Sequence, residues 1–430
     1  MNNRPIRVLS VCTSDSSGGA AKAAYRIHQA VQSFGVASRM FVKDKGMDNP
    51  TVLSVDDFIP HNAFYRGFDW VRNKVKNKWQ HYQWKKYPDS QKYFMSDLRS
   101  TDIGHALQKI DYDILHLHWI NLRFLPLNQL PKDKPIVWTL HDSWPFCGVC
   151  HYFYDCTGYK KECGNCPSLS STRKNDLSHK TWKKKQSFYQ GLDLQIVTPS
   201  KWLGECAGNS SLFRKCPIFI IPNCIDTAVF HPLHDDVLSP RWQTFIDRKR
   251  NTTFLLYGAM NAATDRRKGF SYLLSAIRHL KRYKPDPTYE LIVFGANEPL
   301  EGLSSIIPIH YVGFISDPYE IVSLYNIASV MLVPSLNENL SCVIMESLSC
   351  GTPVVAFNIG GNGDMINHKV NGYLALEKDD DDFAQGILWC LSQNKEKLSI
   401  AARQTVIERF SPNIVGQQYL SLYNRLIMRQ

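Results

Sequence analysis

Residues 334–355 read PSLNENLSCVIMESLSCGTPVV, and the local structure encoded in this stretch sets the fold class. The apolar run Ile327–Val333 just before it predicts a buried strand. Pro334–Asn337 predicts a turn, and Ser341–Ser349 a helix that Gly351 and Pro353 stop. Val354, Val355, Ala356 and Phe357 then begin another strand. Strand, helix and strand in that order make a parallel crossover unit of an α/β protein. In such sheets ligands bind beyond the carboxyl ends of the strands, where helix N-termini offer free N–H groups to anions. Glu338 falls just before the helix, and Glu346 lies about two turns into it. Carboxylates beside a phosphate site are placed to hold sugar or ribose hydroxyls. Taken alone, the same two residues would equally serve as a helix cap and a solvated helix position.

The pattern repeats along the chain. IRVLSVCT (6–13) predicts a first strand, followed by Asp15-Ser16-Ser17-Gly18-Gly19 and an alanine-rich helix from Ala20. Paired glycines at a strand-to-helix turn let the backbone approach a phosphate or sugar, although without G-x-G-x-x-G a plain tight turn explains them as well. Further strands are predicted at Val36–Val42, Asp113–His118, Ile136–Leu140, Leu194–Thr198 and Ile218–Ile221. A second series begins at Thr253–Tyr257 and continues at Glu290–Phe294, His310–Val312 and Ser329–Val333. Their alternation with helical stretches predicts doubly wound parallel sheets. The second series leads through Gly258 to Asp265-Arg266-Arg267-Lys268-Gly269 and a helix with apolar Tyr272, Leu273, Ala276, Ile277 and Leu280. Basic residues opening a helix suit diphosphate neutralisation; a solvated basic loop is the alternative.

At 430 residues with 44% apolar content, the chain has material for two well-cored domains. No window approaches the roughly 18 apolar residues of a spanning helix, and Val8–Cys12 is far shorter than a signal segment. A cytoplasmic protein is expected. The net charge of +11 points to anionic partners: nucleotide sugars, phospholipid headgroups, lipid diphosphates or nucleic acid. Asp111-Tyr112-Asp113 formally matches an Asp-x-Asp motif but precedes a strand, and aspartates 379–382 are expected in a solvated loop. Neither is assigned a donor-bound cation.

Pro334, Ser335, Glu338, Glu346, Gly351, Pro353, Val354 and Val355 match in place the E-x7-E signature of retaining glycosyltransferases of family 4, which this segment closely resembles. That family has the GT-B fold, two Rossmann-like doubly wound parallel-sheet domains facing a cleft. Asn339 and Ser341 replace two family glycines, so the helix entry is built from less permissive residues. IPNCID (221–226) is similar to a family landmark near the domain junction, with Cys224 for glycine. Gly360-Gly361-Asn362-Gly363-Asp364 resembles the family's Gly-Gly-x-x-Glu loop, and GGAAKAAYRIHQAV from Gly18 resembles the polysaccharide-assembly, colanic-acid-type branch. The resemblance implies an acceptor domain at 1–225, with a basic aromatic segment at 60–90 and a Cys-rich insertion at 147–166. It implies a donor domain at 226–411 and a helix at 412–430 crossing back to the first domain.

The resemblance also implies roles. Glu346 should bind ribose hydroxyls and Glu338 the donor sugar. Asn339, Leu340, Ser341 and Cys342 should bring backbone amides to the diphosphate, Gly18 and Gly19 should face the cleft, and Lys268 should grip phosphate. The family's phosphate-binding arginine position is Ala259 here, which leaves Arg266 and Arg267 as candidates, Arg266 first. His141, at a strand end in TLHD, is placed like the family's cleft histidine that contacts the donor sugar. His116 and His118, two apart on a strand, should sit side by side as supporting residues. The family mechanism is commonly written as a same-face substitution in which the diphosphate itself helps take the proton. No protein nucleophile is assigned, and electrostatic stabilisation of the diphosphate is the main contribution expected of the protein.

Two further segments stand out. Cys147, Cys150, Cys156, Cys163 and Cys166 fall within twenty residues, with C-x-x-C spacing at 147–150 and 163–166. Tetrahedral zinc takes four ligands, and the family resemblance selects Cys150, Cys156, Cys163 and Cys166 for a structural zinc; disulfides are not expected in a reducing cytosol. No cofactor is expected to be required for catalysis. Between Phe64 and Tyr87 aromatics alternate with lysine and arginine, and Phe64, Phe68, Val71, Val75, Trp79 and Tyr82 follow helical spacing. This predicts either a helix packed on the first domain or an interfacial helix meeting anionic lipid at the inner face of the membrane.

The expected function is retaining transfer of a sugar from a nucleotide-diphosphate sugar to a glycan or lipid-linked acceptor in bacterial surface polysaccharide biosynthesis. The alternative is a non-catalytic GT-B protein that binds carbohydrate or nucleic acid; no RNA- or DNA-binding motif accompanies the basic segment.

Overall fold

The computed structural model describes residues 4–58, 74, 85–87, 103–122, 124–258, 265–285, 288–296 and 305–429. Among these, two parallel sheets form. The first contains β1 (Arg7–Ser14), β2 (Ala37–Asp44), β3 (Val52–Ser54), β4 (Ile114–Leu117), β5 (Ile136–Thr139), β6 (Leu194–Thr198) and β7 (Ile218–Ile220), in the order β3-β2-β1-β4-β5-β6-β7. The second contains β8 (Thr253–Gly258), β9 (Tyr289–Phe294), β10 (Ile309–Gly313), β11 (Val330–Val333), β12 (Val354–Phe357) and β13 (Gly372–Ala375), in the order β10-β9-β8-β11-β12-β13. Strand order reverses between β1 and β4 and again between β8 and β11. These are the switch points outside which doubly wound sheets bind ligands.

The strands are apolar on both faces because helices cover both. All residues of β9 and β12 are buried. The helix Phe270–Tyr283 buries Leu273, Ala276, Ile277 and Leu280, the stripe its sequence spacing predicts. The unit first read from sequence folds as β11, a turn, the helix Cys342–Ser349 and β12.

The chain divides into two compact units. One comprises Met1–Pro199, Leu203–Ile221 and Gly416–Gln430; the other comprises Ser200–Trp202 and Pro222–Val415. The last helix, Pro412–Ile427, starts in the second unit and ends in the first. There Tyr419 and Tyr423 are fully buried, and a Cβ on Gly416 would stand 2.8 Å from the Ala30 carbonyl oxygen.

Some details differ from the sequence reading. β3 and β13 are short additional strands. Aspartates 379–382 are not a loop: Asp379 caps the helix Asp380–Ser392, accepting from the Asp382 N–H, and the other three occupy its first turn. Acidic residues there meet the positive end of the helix dipole. Asp113 and Asp111 pair with Arg7. The basic aromatic stretch lies outside the described residues except for Lys74 and residues 85–87; Tyr87 Oη accepts from the Leu177 N–H at 3.0 Å. Among the described residues no helix is long and apolar enough to cross a membrane.

Candidate active site

Three loops of the second unit are locked together beyond the β8/β11 switch point, and glycines make this possible. Gly269 has φ of +66°, and a Cβ there would stand 1.7 Å from the Pro334 carbonyl oxygen. Cβ atoms on Gly360 and Gly361 would stand 1.9 Å from the Glu338 carbonyl oxygen and 1.8 Å from that of Asn339. Main-chain hydrogen bonds close the contacts: Leu336 N–H donates to Arg267 O at 2.7 Å and Gly361 N–H to Glu338 O at 3.3 Å. Segments 265–269, 334–341 and 360–364 thus form one cradle.

The charged side chains of the cradle follow from this packing. Lys268 Nζ lies 2.7 Å from Glu338 Oε1, with both side chains partly exposed. Two expected donor contacts are therefore bonded to each other. Arg267 is engaged by Asp265 through Nε at 3.0 Å and Nη2 at 2.5 Å. Arg266 is exposed and makes no ion pair among the described residues, which leaves it the more available of the two candidates. Glu346 is buried, and its Oε2 accepts from Tyr325 Oη at 3.0 Å, so it is not a solvated helix position. Burial and the Glu346 carboxylate push the Tyr325 phenol well up.

Ser341 occupies the N-cap of the Cys342–Ser349 helix without a side-chain hydrogen bond to its first turn. A helix entry without such a cap presents amide N–H groups and the positive dipole end to an anion. Leu340 is buried beside it. Asn339, which stands where the family has glycine, accepts from Ser200 Oγ at 2.8 Å, and Asp364 accepts from the Lys201 N–H at 2.7 Å. The residue at 259, where the family carries arginine, lies outside the described residues.

In the first unit, Gly18 caps the helix Gly19–Gln32 with φ of +87°. A Cβ at Gly18 would meet open space, so conformation and not crowding calls for glycine. His141 follows β5, and its Nε2 lies 3.1 Å from His118 Nδ1. His116 and His118 do stand side by side, with ring centroids 4.1 Å apart. His116 is held between Tyr423 Oη at 2.7 Å and Thr139 Oγ1 at 2.8 Å, and Tyr419 Oη lies 2.9 Å from Thr139 Oγ1. Burial lowers His116 to about 3 and His141 to about 4, and takes His118 well below its ordinary value. All three are neutral imidazoles at pH 7.

Two neighbours of His141 and Asp142 were not singled out from the sequence. Asp142 Oδ2 accepts from Trp119 Nε1 at 2.9 Å and pairs with His151 Nδ1 at 2.6 Å; Oδ1 accepts from the Trp144 N–H at 2.9 Å. Burial opposes ionisation of Asp142, but His151 and these hydrogen bonds outweigh it and hold the carboxyl below its usual range. Trp119 and His151 come from irregular segments, so no periodicity marks them; the only signal was their shared neighbour in TLHD.

The cysteine segment is held by hydrogen bonds around free thiols. All twelve cysteines are free thiols, and Cys150, hydrogen-bonded to Cys147 and Cys166, is turned toward a residue left out of the expected zinc set. Cys163 Sγ accepts from the Gly148 N–H at 3.1 Å, while Cys156 is only half-buried. Among the described residues no three His, Cys, Asp or Glu side chains are grouped to hold a metal ion. Burial pushes the Cys163 thiol up to about 12. The segment is pinned by buried Lys185, whose Nζ donates to the carbonyl oxygens of Trp144, Cys147 and Gly148.

Known proteins share these halves. Residues 17–229 match the family described as Glycosyltransferase Family 4, and residues 251–393 match Glycosyl transferases group 1. A putative colanic acid biosynthesis glycosyl transferase of Escherichia coli (strain K12) is 25% identical over 328 residues, 73% of this chain and 74% of that one. An N,N'-diacetylbacillosaminyl-diphospho-undecaprenol alpha-1,3-N-acetylgalactosaminyltransferase of Campylobacter jejuni is 31% identical over 121 residues, 28% of this chain and 31% of that one. The solved structure of Anabaena HepE in complex with UDP has a TM-score of 0.60 at 15% identity, covering 98% of this chain and 100% of that one.

Proposed function

We propose, for a chain that belongs to the family 4 and group 1 glycosyltransferases and has their GT-B fold, that it moves a sugar with retention of anomeric configuration from a nucleotide diphosphate onto a glycan or lipid-diphosphate-linked acceptor. The pathway we assign is bacterial surface polysaccharide synthesis. The observation that carries this reading is the cradle: Lys268 and Glu338 side by side in front of a helix entry that its N-cap residue Ser341 does not cap, with the buried carboxylate of Glu346 in its second turn.

Each part has chemistry to do. The helix N-terminus and Lys268, joined by Arg266, offer positive potential to the diphosphate as negative charge develops on it, the term that usually contributes most to such catalysis. A phosphate competing for Lys268 releases Glu338 to accept from sugar hydroxyls. Glu346, fixed by Tyr325, accepts from ribose hydroxyls. His141, neutral at pH 7, offers a sugar hydroxyl a hydrogen bond without adding charge. An acceptor carried on a lipid diphosphate, and peripheral contact with an anionic membrane, suit the net charge of +11. The diphospho-undecaprenol in the name of the Campylobacter relative supports the same acceptor class.

The test is a nucleotide-sugar panel. A true donor stabilises the native state by about 2.7 kcal/mol at one hundred times its Kd, a readable rise in Tm. Glu346→Ala should remove both that rise and turnover of the donor. A panel in which no nucleotide sugar shifts Tm and none is turned over would leave a non-catalytic GT-B binding protein as the answer.

A further inference from the structure

The helix Leu177–Tyr189 of the first unit buries Ser178, Thr181, Trp182, Lys185 and Tyr189 and leaves Lys180, Lys183 and Lys184 exposed. Residues three and four apart share a helical face, so these three cations form one stripe. Two further basic segments are tied to the same helix. Trp182 Nε1 donates to Ser211 Oγ at 3.1 Å, and Ser211 donates to the Tyr159 carbonyl oxygen through its N–H at 3.1 Å and its hydroxyl at 3.2 Å. That junction gathers the exposed pairs Lys160-Lys161 and Arg214-Lys215 around the stripe. His179 Nδ1 donates to the Cys163 carbonyl oxygen at 2.9 Å and Asn165 N–H to that of Arg173 at 3.0 Å, which adds exposed Arg173 and Lys174. The Leu177 N–H, donating to Tyr87 Oη at 3.0 Å, anchors Lys85-Lys86-Tyr87 at the start of the helix.

Little on this face offsets the charge. Segments 157–165, 173–184 and 209–215 carry nine Lys and Arg against two acids, Glu162 and Asp176. Asp176 is buried as the helix N-cap, accepting from the His179 N–H at 3.1 Å. Glu162 pairs with Lys174 at 3.0 Å. Lys174 first, then His179 and Lys183, hold the Glu162 carboxyl below its usual range, so cations of separate segments share one acid.

The make-up of the face selects its partner. Seven of the nine cations are lysine, a compact point charge without the planar fork that arginine offers to single phosphates. Nucleic-acid surfaces add aromatic faces on which bases stack. Here the rings of Tyr159, Trp182 and Phe213 are buried beneath the cations. A lysine face with its rings turned inward suits a layer of anionic headgroups, which attracts charge without directional contacts. We infer that this face of the first unit docks on an anionic lipid surface. The inference rests on the membrane contact proposed above, gives it a place, and is independent of the transfer chemistry.

The experiment measures co-sedimentation of the full-length protein with vesicles of phosphatidylcholine, alone or mixed with phosphatidylglycerol, at low and high salt. Wild type should bind only the anionic vesicles, and less as salt rises. Each basic residue near such a surface raises partition about fivefold. A Lys180→Glu, Lys183→Glu, Lys184→Glu triple variant should therefore bind roughly 100-fold more weakly or worse. A matched triple variant, Arg282→Glu, Lys284→Glu and Lys397→Glu, has the same net charge but changes exposed positions of the second unit, and should stay within about fivefold of wild type. Both should melt within a few degrees of wild type, which certifies the fold. Equal losses in the two variants would reduce the effect to net charge and overturn the inference. So would a wild type that ignores anionic vesicles, or a Lys180/Lys183/Lys184 variant that binds them as wild type does. A wild type that ignores vesicles but binds single-stranded nucleic acid through the same lysines would assign the face to nucleic acid instead. Sedimentation is read without turnover, so a protein that binds the vesicles yet turns over no nucleotide sugar overturns the transferase reading and leaves this one standing.

Discussion

At Gly269 two demands coincide: a left-handed backbone, φ +66°, and a Pro334 carbonyl oxygen 1.7 Å from where a Cβ would lie. Gly18 shares the first demand, φ +87°, but not the second, since its Cβ would meet open space. The two positions therefore separate conformational cost from crowding. Gly18→Ala should cost about 1 kcal/mol. Gly269→Ala should cost about 2–4 kcal/mol, because it also drives the 265–269 loop off the Pro334 turn. In a chain of this size that is a fall of several degrees in Tm. It should also weaken nucleotide-induced stabilisation, since Lys268 and Glu338 meet across the same contact. Thermal unfolding of both variants checks this, and a Gly269→Ala loss no larger than that of Gly18→Ala would show that the loops are not locked as described. Sequence alone could place Gly269 before a helix, yet not against Pro334, because 65 positions separate them. Likewise the claim of Asp265 on Arg267 is a matter of side-chain geometry, which spacing leaves open.

Among the elements, the C-terminal helix shows how far the sequence could be read. Its existence and the break at Phe410-Ser411-Pro412 were legible from local signals, and it begins at Pro412, the favoured place for proline at a first helical position. The strand–turn–helix–strand at 330–357 was legible for the same reason: apolar runs and breakers act over a few residues. Which side chains the helix meets was not legible. Tyr423 Oη meets His116 Nδ1 across 307 positions, inside a buried chain of hydroxyl groups and imidazoles. Tyr423→Phe leaves that nitrogen without its partner and should cost about 1–3 kcal/mol. Urea denaturation checks it; a midpoint equal to wild type would mean the hydroxyl contributes nothing to holding the first unit. The cysteine segment marks the opposite limit. Its spacing offered five thiols for four positions, and which of them meet was beyond spacing: Cys150 is hydrogen-bonded to Cys147 and Cys166.

Across the whole molecule, buried neutral histidines set the response to acid. His28, held by Ser38 Oγ and Thr51 Oγ1 at 2.8 Å each, is lowered by burial from 6.5 to about 4. His116, His118 and His141 are lowered too, all from the same ordinary value. Above pH 6.5 these rings are neutral in both folded and unfolded chains and add no pH dependence. Below it the unfolded chain takes up protons that the folded one refuses, so stability falls with pH until the folded pKa values are reached. For His28 alone the loss is about 3 kcal/mol, since each tenfold change in proton affinity corresponds to about 1.4 kcal/mol. Four such groups in one unit should make the urea midpoint drop steeply between pH 6.5 and pH 4, before most carboxylates titrate. His28→Gln should flatten part of that slope whatever it does to stability at pH 8, because it removes one proton uptake from the unfolded chain. A urea midpoint that stays level from pH 7 to pH 4.5 would mean these rings are protonated in the folded protein.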